Sequence, residues 1–145
     1  ILEYKDVLAR MLGGRIAEEI MYGKDRVTTG AGNDLQKAAE LAREMVTKQG
    51  MGSKLRDQVF HAEEGIMMER IMHEREYSDE TAKIIDEEVE ALITEAAQRA
   101  RGVIKANMAQ LKKLKDALLE KETVEAEEVA KLFDGSHLPK EAALY

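Results

Sequence analysis

Apolar residues recur every three or four positions along most of this chain, the spacing that places side chains on one face of an α-helix. The second such segment carries one clean apolar stripe, formed by Leu35, Ala38, Leu41, Ala42, Met45 and Val46. The pattern predicts helices from Tyr4 to about Tyr22, from Asp34 to about Gln49, from Ser78 to about Lys105, after Asn107 to about Glu120, and a short last helix capped by Thr123.

The longest predicted helix carries a narrow seam of apolar residues. Ser78 is a good N-cap for this helix, and Asp79 and Glu80 in its first turn suit the positive end of the helix dipole. The seam steps by four and three residues through Ile85, Val89, Leu92, Ala96, Ala100 and Val103. Such a seam packs against a partner helix. We expect that partner to lie inside the same protomer rather than in a neighbouring one.

Two stretches depart from the helical pattern. Gly13 and Gly14 stand in tandem inside the first helix, where each glycine costs roughly 1 kcal/mol relative to alanine. We therefore expect another backbone or helix to approach them closely, and the alternative is a break between two short helices. Residues 51–77 show no secure period, and we expect a short extended piece near residues 58–60.

These elements predict an all-α fold, a helical bundle of about five helices with one irregular segment. The single proline, Pro139, leaves almost nothing to interrupt the helices. Residues 1–134 form the predicted domain, and residues 135–145 form a C-terminal tail that we expect to be loosely ordered.

Composition then limits the classes of function. The chain carries 29 acidic and 22 basic residues, a net charge of -7, so it is a poor general binder of nucleic-acid phosphates. The absence of cysteine removes disulfides and thiolate metal ligands. No run of 18 apolar residues exists in the sequence, so no segment of it is expected to span a membrane. Because the chain does not begin with Met, we expect it to be a domain cut from a longer protein.

Most candidate catalytic residues have an ordinary structural interpretation. None of the three histidines, His61, His73 and His137, has a second histidine four residues away. The carboxylates of Glu18 and Glu19 should diverge, because adjacent helical residues point about 100° apart. They are therefore no acid–base pair, and one of them could pair with Arg15 three or four residues back. Phosphate-binding loops and a serine nucleophile motif are absent from the sequence.

Asp34 is the remaining candidate. It is the last residue of the flexible stretch VTTGAGND and stands at the start of the second predicted helix. A carboxylate at this position can cap the helix N-terminus, or it can bind zinc as one oxygen ligand. The residues alone leave both interpretations open, and one carboxylate does not make a metal site.

Three motifs, in order, resemble the peptidase domain of the FtsH family, which comprises membrane-anchored, ATP-dependent zinc proteases. They are LGGRIAEEIMYG at 12–23, VTTGAGNDLQKAAELAREMV at 27–46 and GMG at 50–52. The later stretches YSDETAKIIDEEV at 77–89 and LLEKETVEAEEV at 118–129 look like the C-terminal helices of the same domain. The resemblance covers residues 8–132.

The resemblance implies a zinc site built from two histidines of an HExxH helix and from the aspartate that corresponds to Asp34. Thr28, Thr29 and Asn33 are candidates for orienting that aspartate or for lining the substrate cleft. No HExxH motif occurs in this sequence, so we assign no catalytic residue in the chain and expect the motif upstream. The fragment alone is therefore expected to be inactive and to bind zinc weakly or not at all.

For the intact protein, the resemblance implies cleavage of unfolded or membrane proteins, ATP bound by a separate ATPase module, and a homo-hexamer. It also implies a location on the cytoplasmic face of a bacterial inner membrane or on an organelle membrane, whereas the fragment itself is expected to be soluble. The alternative is a non-catalytic helical scaffold that has kept the fold and lost the zinc site. Nucleic acid is not an expected partner.

Overall fold

The computed structural model describes residues 1–28, 30, 32–60 and 77–143. These residues contain five α-helices and no strand, which confirms the predicted all-α bundle. The helices are α1 (Leu2–Tyr22), α2 (Gly32–Thr47), α3 (Asp79–Ala106), α4 (Met108–Lys121) and α5 (Ala126–Leu132), with short 3₁₀ helices at Lys24–Arg26 and Lys140–Ala142.

The main core lies where α1, α2 and α3 pack together. Its buried residues come from all three helices and are Leu8, Leu12 and Ile16, then Ala38, Ala42 and Met45, then Ala96 and Ala100. Four of these eight residues are alanines, which let the helix backbones approach closely while the larger side chains of α1 fill the space between them. The seam of α3 therefore packs inside the protomer, as its spacing predicted.

A second cluster joins the loop after α2 to the first turns of α3. Val46, Leu55 and Ile85 are buried there. The rings of Phe60 and Tyr77 pack edge to face beside them, with centroids 5.5 Å apart. The backbone N–H of Phe60 donates to the carbonyl of Thr47 at 2.6 Å. Residues 58–60 are thus tied to the end of α2, and within the described chain they form no strand.

Helix boundaries follow local chemistry at several points. The side chain of Ser78 accepts a hydrogen bond from the backbone N–H of Thr81 at 3.2 Å, so Ser78 caps α3 as predicted. Gly23 follows α1 and Gly50 follows α2, both with positive φ, which glycine adopts without strain. Glu125, not Thr123, occupies the cap position of α5, so that predicted cap is wrong.

The tandem glycines do not interrupt α1, which continues through Gly13 and Gly14 to Tyr22. The alternative of two short helices is therefore wrong. Apart from the adjoining residues and backbone of α1 itself, no described atom would lie within 4 Å of a Cβ added at either glycine. The close neighbour predicted for this position is thus not supplied by the described part of the chain.

Helices α4 and α5 extend from the end of α3 and contact each other. Beyond them, the chain returns to α3. The side chain of Asn107 donates to the carbonyl of His137 at 2.8 Å and accepts from its backbone N–H at 2.9 Å. Ala142 is buried, and its Cβ would lie 3.9 Å from a Cβ at Gly102. These contacts place residues 137–142 along the C-terminal half of α3.

Candidate metal-ligand site

Asp34 lies in the first turn of α2, where its side chain is exposed. Because α2 begins at Gly32, two residues before the predicted start, Asp34 stands inside the helix rather than at its cap position. A carboxylate in the first turn still interacts favourably with the positive end of the helix dipole. It makes no hydrogen bond to any residue that the structure describes, so its oxygens are free of described protein donors.

The loop that leads to Asp34 is held by Glu18 on α1. The backbone N–H of Thr28 donates to Oε2 of Glu18 at 2.8 Å, and the Thr28 hydroxyl donates to the same oxygen at 3.0 Å. A carboxylate that accepts two donors from one residue fixes both the backbone and the side chain of that residue. The arrangement anchors the loop to α1 six residues before Asp34.

Glu19 points away from this loop, toward α3. Its Oε2 accepts from Nη2 of Arg101 at 2.8 Å, and Lys24 lies 3.9 Å from its other oxygen. The hydrogen bond from Arg101 is the main cause that holds the pKa of Glu19 below its ordinary value. The predicted divergence of Glu18 and Glu19 is therefore confirmed, whereas Arg15 acts on Glu19 only as a nearby charge.

None of the other candidates that the structure describes forms a hydrogen bond with Asp34. Asn33 is exposed on α2, and Thr28 contacts Glu18 as described above. Thr29, His61 and His73 lie outside the described residues. His137 is in the C-terminal tail, where its backbone binds Asn107.

A zinc site needs more ligands than these residues provide. Hydrolytic zinc takes three protein ligands and a water molecule. Among the described residues no group of three or more histidine, cysteine, aspartate or glutamate side chains could hold a metal ion. The described part of the chain therefore offers one candidate ligand, the carboxylate of Asp34, and does not by itself fit zinc.

A buried carboxylate that the sequence analysis missed lies at the opposite end of α2. Glu88 on α3 is only 5% exposed. Its Oε1 accepts from the hydroxyl of Ser53 at 2.8 Å and from the backbone N–H groups of Ser53 and Lys54. Burial alone would raise the pKa of Glu88, but these hydrogen bonds hold it below its ordinary value.

The second carboxylate oxygen of Glu88 lies against Gly52. A Cβ at position 52 would come within 1.8 Å of this oxygen, so only glycine fits there. Glu88 follows Ile85 by three residues and precedes Leu92 by four, which places it on the apolar seam of α3. A charged residue on an apolar seam was the signal in the sequence that could have identified this contact.

A groove runs between α1 and α3 of the described structure. It has a volume of about 740 Å³, and its floor is formed by Val7, Ala9, Gly13, Ala100, Val103 and Ile104. Asp6 and Arg99 form an ion pair at its rim. The groove is mainly apolar and does not include Asp34.

The same described residues contain no helix that is long and apolar enough to cross a membrane.

Comparison with known proteins identifies relatives over nearly the whole chain. The family described as Peptidase family M41 matches residues 2–132. The chain is 48% identical over 127 residues to ATP-dependent zinc metalloprotease FtsH 3 of Synechocystis sp. (strain ATCC 27184 / PCC 6803 / Kazusa), a match that covers 86% of this chain and 21% of the relative.

Two further relatives carry the name ATP-dependent zinc metalloprotease FtsH. The protein of Synechococcus sp. (strain JA-2-3B'a(2-13)) is 43% identical over 136 residues, which is 92% of this chain and 21% of the relative. The protein of Chloroflexus aggregans (strain MD-66 / DSM 9485) is 41% identical over 134 residues, which is 91% of this chain and 20% of the relative. The chain thus spans about a fifth of the length of the curated relatives it matches.

Proposed function

Because this chain belongs to peptidase family M41, we propose that the whole protein is an ATP-dependent zinc metalloendopeptidase and that these residues form part of its proteolytic domain. The names of its relatives support the activity and the metal. The proposal assigns Asp34 as one zinc ligand. The other two protein ligands come from outside the described residues.

The position of Asp34 is the observation that carries this assignment. An exposed carboxylate with no described hydrogen-bond partner, at the start of a helix, is accessible to a ligand-bearing segment from elsewhere in the protein. The loop before it is anchored through Thr28 and Glu18. Anchoring of this kind limits the positions that the carboxylate can take, as a second coordination shell does for a metal ligand. Glu18 is therefore a positioning residue for Asp34.

The proposal extends to the partners of the whole protein. Its substrates are unfolded or membrane polypeptides, ATP is bound by an ATPase module outside these residues, and the protein assembles as a homo-hexamer. Attachment to the membrane, with the proteolytic domain on the cytoplasmic face of a bacterial inner membrane or on an organelle membrane, is made by segments outside the described helices. The 145-residue chain alone has no peptidase activity, because it contains no HExxH motif.

Replacement of Asp34 in the whole protein tests the ligand assignment. Asp34→Asn keeps the shape of the side chain and removes its charge, so the affinity for zinc should fall by on the order of 100-fold and ATP-dependent degradation of an unfolded protein should be lost. Glu18→Gln keeps the ligand but weakens its anchor, and it should lower the affinity by about tenfold. Zinc content by mass spectrometry and degradation rate are the two measurements.

Asp25→Asn is the matched control, because Asp25 is an exposed carboxylate in the 3₁₀ helix before the same loop. Its zinc content and activity should equal those of the unaltered protein. Full zinc content in Asp34→Asn would show that Asp34 is no ligand. Peptidase activity of the 145-residue chain by itself would contradict the division of the site between two segments.

A further inference from the structure

A buried asparagine joins the C-terminal tail to the junction of α3 and α4. Asn107 lies between the two helices and is only 8% exposed. Its side-chain amide donates to the carbonyls of Val103 and His137, at 2.8 Å each. Its Oδ1 accepts from the backbone N–H of His137 at 2.9 Å. Both amide hydrogens are therefore used, and the side chain holds the tail through the backbone of His137.

A second contact between the tail and α3 lies five residues further along the chain. Pro139 precedes the 3₁₀ helix Lys140–Ala142, in which the backbone N–H of Ala142 donates to the Pro139 carbonyl at 2.9 Å. Ala142 is 2% exposed. Its Cβ lies 3.9 Å from the position that a Cβ would take at Gly102. Residues 137–142 therefore contact α3 at two points, Asn107 and Gly102.

Helices α4 and α5 have few contacts of their own. Among the described helices, the backbone of α5 lies beside that of α4 alone. Neither helix contains a fully buried residue among those described, and α5 has only seven residues, too few for a helix to be stable in water without tertiary contacts. After α5, Gly135 adopts a positive φ, which lets the chain turn back toward α3. The bond between His137 and Asn107 therefore closes a loop of 30 residues that contains both helices.

We propose that residues 137–142 form a strap that fixes the position of α4 and α5 on α3. When the strap is bound, both ends of the segment that contains α4 and α5 are attached to α3. When the strap is released, only the end at Asn107 stays attached. Helices α4 and α5 can then move while the core of α1, α2 and α3 remains folded, because local opening requires less free energy than global unfolding.

The strap goes beyond the proposed function of the protein. The match with the peptidase family ends at residue 132, and the strap begins five residues later. None of the hydrogen bonds that hold it involves Asp34 or the loop before Asp34. Failure of the strap and failure of the zinc-ligand assignment are therefore separate outcomes. The alternative to the strap is the loosely ordered tail expected from the sequence.

Hydrogen exchange of the whole protein, measured by mass spectrometry, tests the strap. Asn107→Asp keeps the shape of the side chain, but a carboxylate has no hydrogens to donate to the carbonyls of Val103 and His137. We expect the backbone amides of α4, α5 and the strap to exchange about tenfold faster, because buried acceptors lose their hydrogen bonds and local opening becomes easier. The amides of α2 should exchange at their original rate.

A second variant removes the strap without altering Asn107. Replacement of residues 137–142 by glycine and serine, at unchanged length, should give the same faster exchange in α4 and α5. Gln98→Glu is the matched control, because it also converts an amide into a carboxylate but lies exposed on α3. It should leave all rates unchanged. Unaltered exchange of α4 and α5 after replacement of the strap would overturn the proposal. So would a tail that exchanges at the rate of an unfolded chain in the unaltered protein.

A disulfide tests the strap without loss of structure. The two Cβ atoms of a disulfide lie about 3.5–4.5 Å apart, and the Cβ positions at Gly102 and Ala142 are 3.9 Å apart. Gly102→Cys combined with Ala142→Cys should therefore form a disulfide, which mass spectrometry of the linked peptides would detect.

This disulfide should also rescue the loss of the asparagine. In the oxidised protein, Asn107→Asp should speed exchange in α4 and α5 by no more than about twofold, because the tail stays attached to α3. A reductant should bring back the tenfold effect. Failure of this disulfide to form, or equally fast exchange in the oxidised and reduced proteins, would overturn the proposed strap.

Discussion

The two halves of the helical bundle differ in how their apolar residues are used. In α1, α2 and α3 the apolar stripes meet one another, and side chains such as Leu8, Met45 and Ile85 are completely buried. In α4 and α5 the stripes are as regular in the sequence, yet no side chain there reaches full burial among the described residues. Both halves therefore have regular helical periodicity, but only the first half has fully buried apolar side chains.

The well-packed half of the bundle is also the half that carries the candidate metal ligand. The first half also holds Glu18, Asp34 and Glu88, so the candidate metal ligand stands on the well-packed part. A metal ligand needs a rigid support, and the packing of α1 against α2 and α3 provides one. The second half lacks such packing, because α4 and α5 contain no fully buried residue among those that the structure describes.

The largest predicted effect is on the free energy of unfolding, when one leucine in each half of the bundle is replaced by alanine. Leu8→Ala, in the core, should lower the free energy of unfolding by about 3–5 kcal/mol, because it removes a fully buried side chain and leaves a cavity. Leu119→Ala, on α4, should change it by no more than about 0.5 kcal/mol, because this side chain is already 76% exposed. Urea unfolding followed by circular dichroism measures both. Equal losses for the two variants would break the distinction between the halves.

The next largest effect on stability is predicted for two glycines, one on α3 and one in the loop after α2. Gly52→Ala should destabilise the chain by about 2 kcal/mol, because its Cβ would collide with the Glu88 carboxylate. Gly102→Ala should stabilise it by about 0.5–1 kcal/mol, because alanine favours the helix and its Cβ meets only Ala142 at an ordinary distance. The midpoint of thermal unfolding should fall in Gly52→Ala and rise in Gly102→Ala. Unchanged stability of Gly52→Ala would contradict the close contact between Gly52 and the Glu88 carboxylate.

The variant Glu88→Gln tests the contact between the Glu88 carboxylate and the loop after α2 through the pH dependence of stability. The amide keeps the shape but loses the charge, and at neutral pH the loss of charge-assisted hydrogen bonds should cost about 1–3 kcal/mol. The native pKa of Glu88 lies below its ordinary value of 4.5, so the unfolded chain binds the proton first as pH falls. The stability from Glu88 is thus complete above pH 4.5 and is lost below it.

The unaltered chain should therefore lose stability more steeply below pH 4.5 than Glu88→Gln does, as denaturant titrations at several pH values can measure. Glu19 and Glu87, whose pKa values are lowered by hydrogen bonds from Arg101 and Lys54, should keep part of the acid sensitivity in both proteins. If the free energy of unfolding depended on pH in the same way in both proteins, Glu88 would not be the charged hydrogen-bond acceptor described.

The smallest effect concerns the exposed ion pair between Arg43 on α2 and Asp86 on α3. Its nitrogen and oxygen lie 2.5 Å apart, but both side chains are at least half exposed. Solvent and salt screen such pairs, so Arg43→Ala should cost no more than about 0.5 kcal/mol, and less in 1 M salt. A loss comparable to that of Leu8→Ala would mean that surface charges, rather than the core, hold α2 against α3.

Much of the fold could be predicted because its signals are local. The helix from Ser78 was predicted from a cap and a period, and the structure begins α3 one residue later. The start of α2 was placed two residues late, because Gly32 and Asn33 favour loops over helices by themselves. The cap of α5 was misplaced for a similar reason, since Thr123 is the better N-cap by residue type and Glu125 occupies the position.

The candidate site was predictable only in part. Asp34 was identified through the motif that contains it, and its role as a ligand stays a prediction. The anchor from Glu18 to Thr28 was not foreseen. Neither was the partner of Glu19, because Arg101 lies 82 residues away in the sequence. The loosely ordered tail predicted for residues 135–145 also stays a prediction. Within that tail, His137 forms two hydrogen bonds with Asn107.

The sequence by itself determined the class of fold, the spans of the main helices and the position of Asp34 at the start of one of them, because periodicity and capping act within a few residues. Only the tertiary structure decided which charges pair, that Glu88 is buried against Gly52, and that the stripes of α4 and α5 are only partly buried. These outcomes depend on which helix faces meet, and the faces that meet belong to segments far apart along the chain.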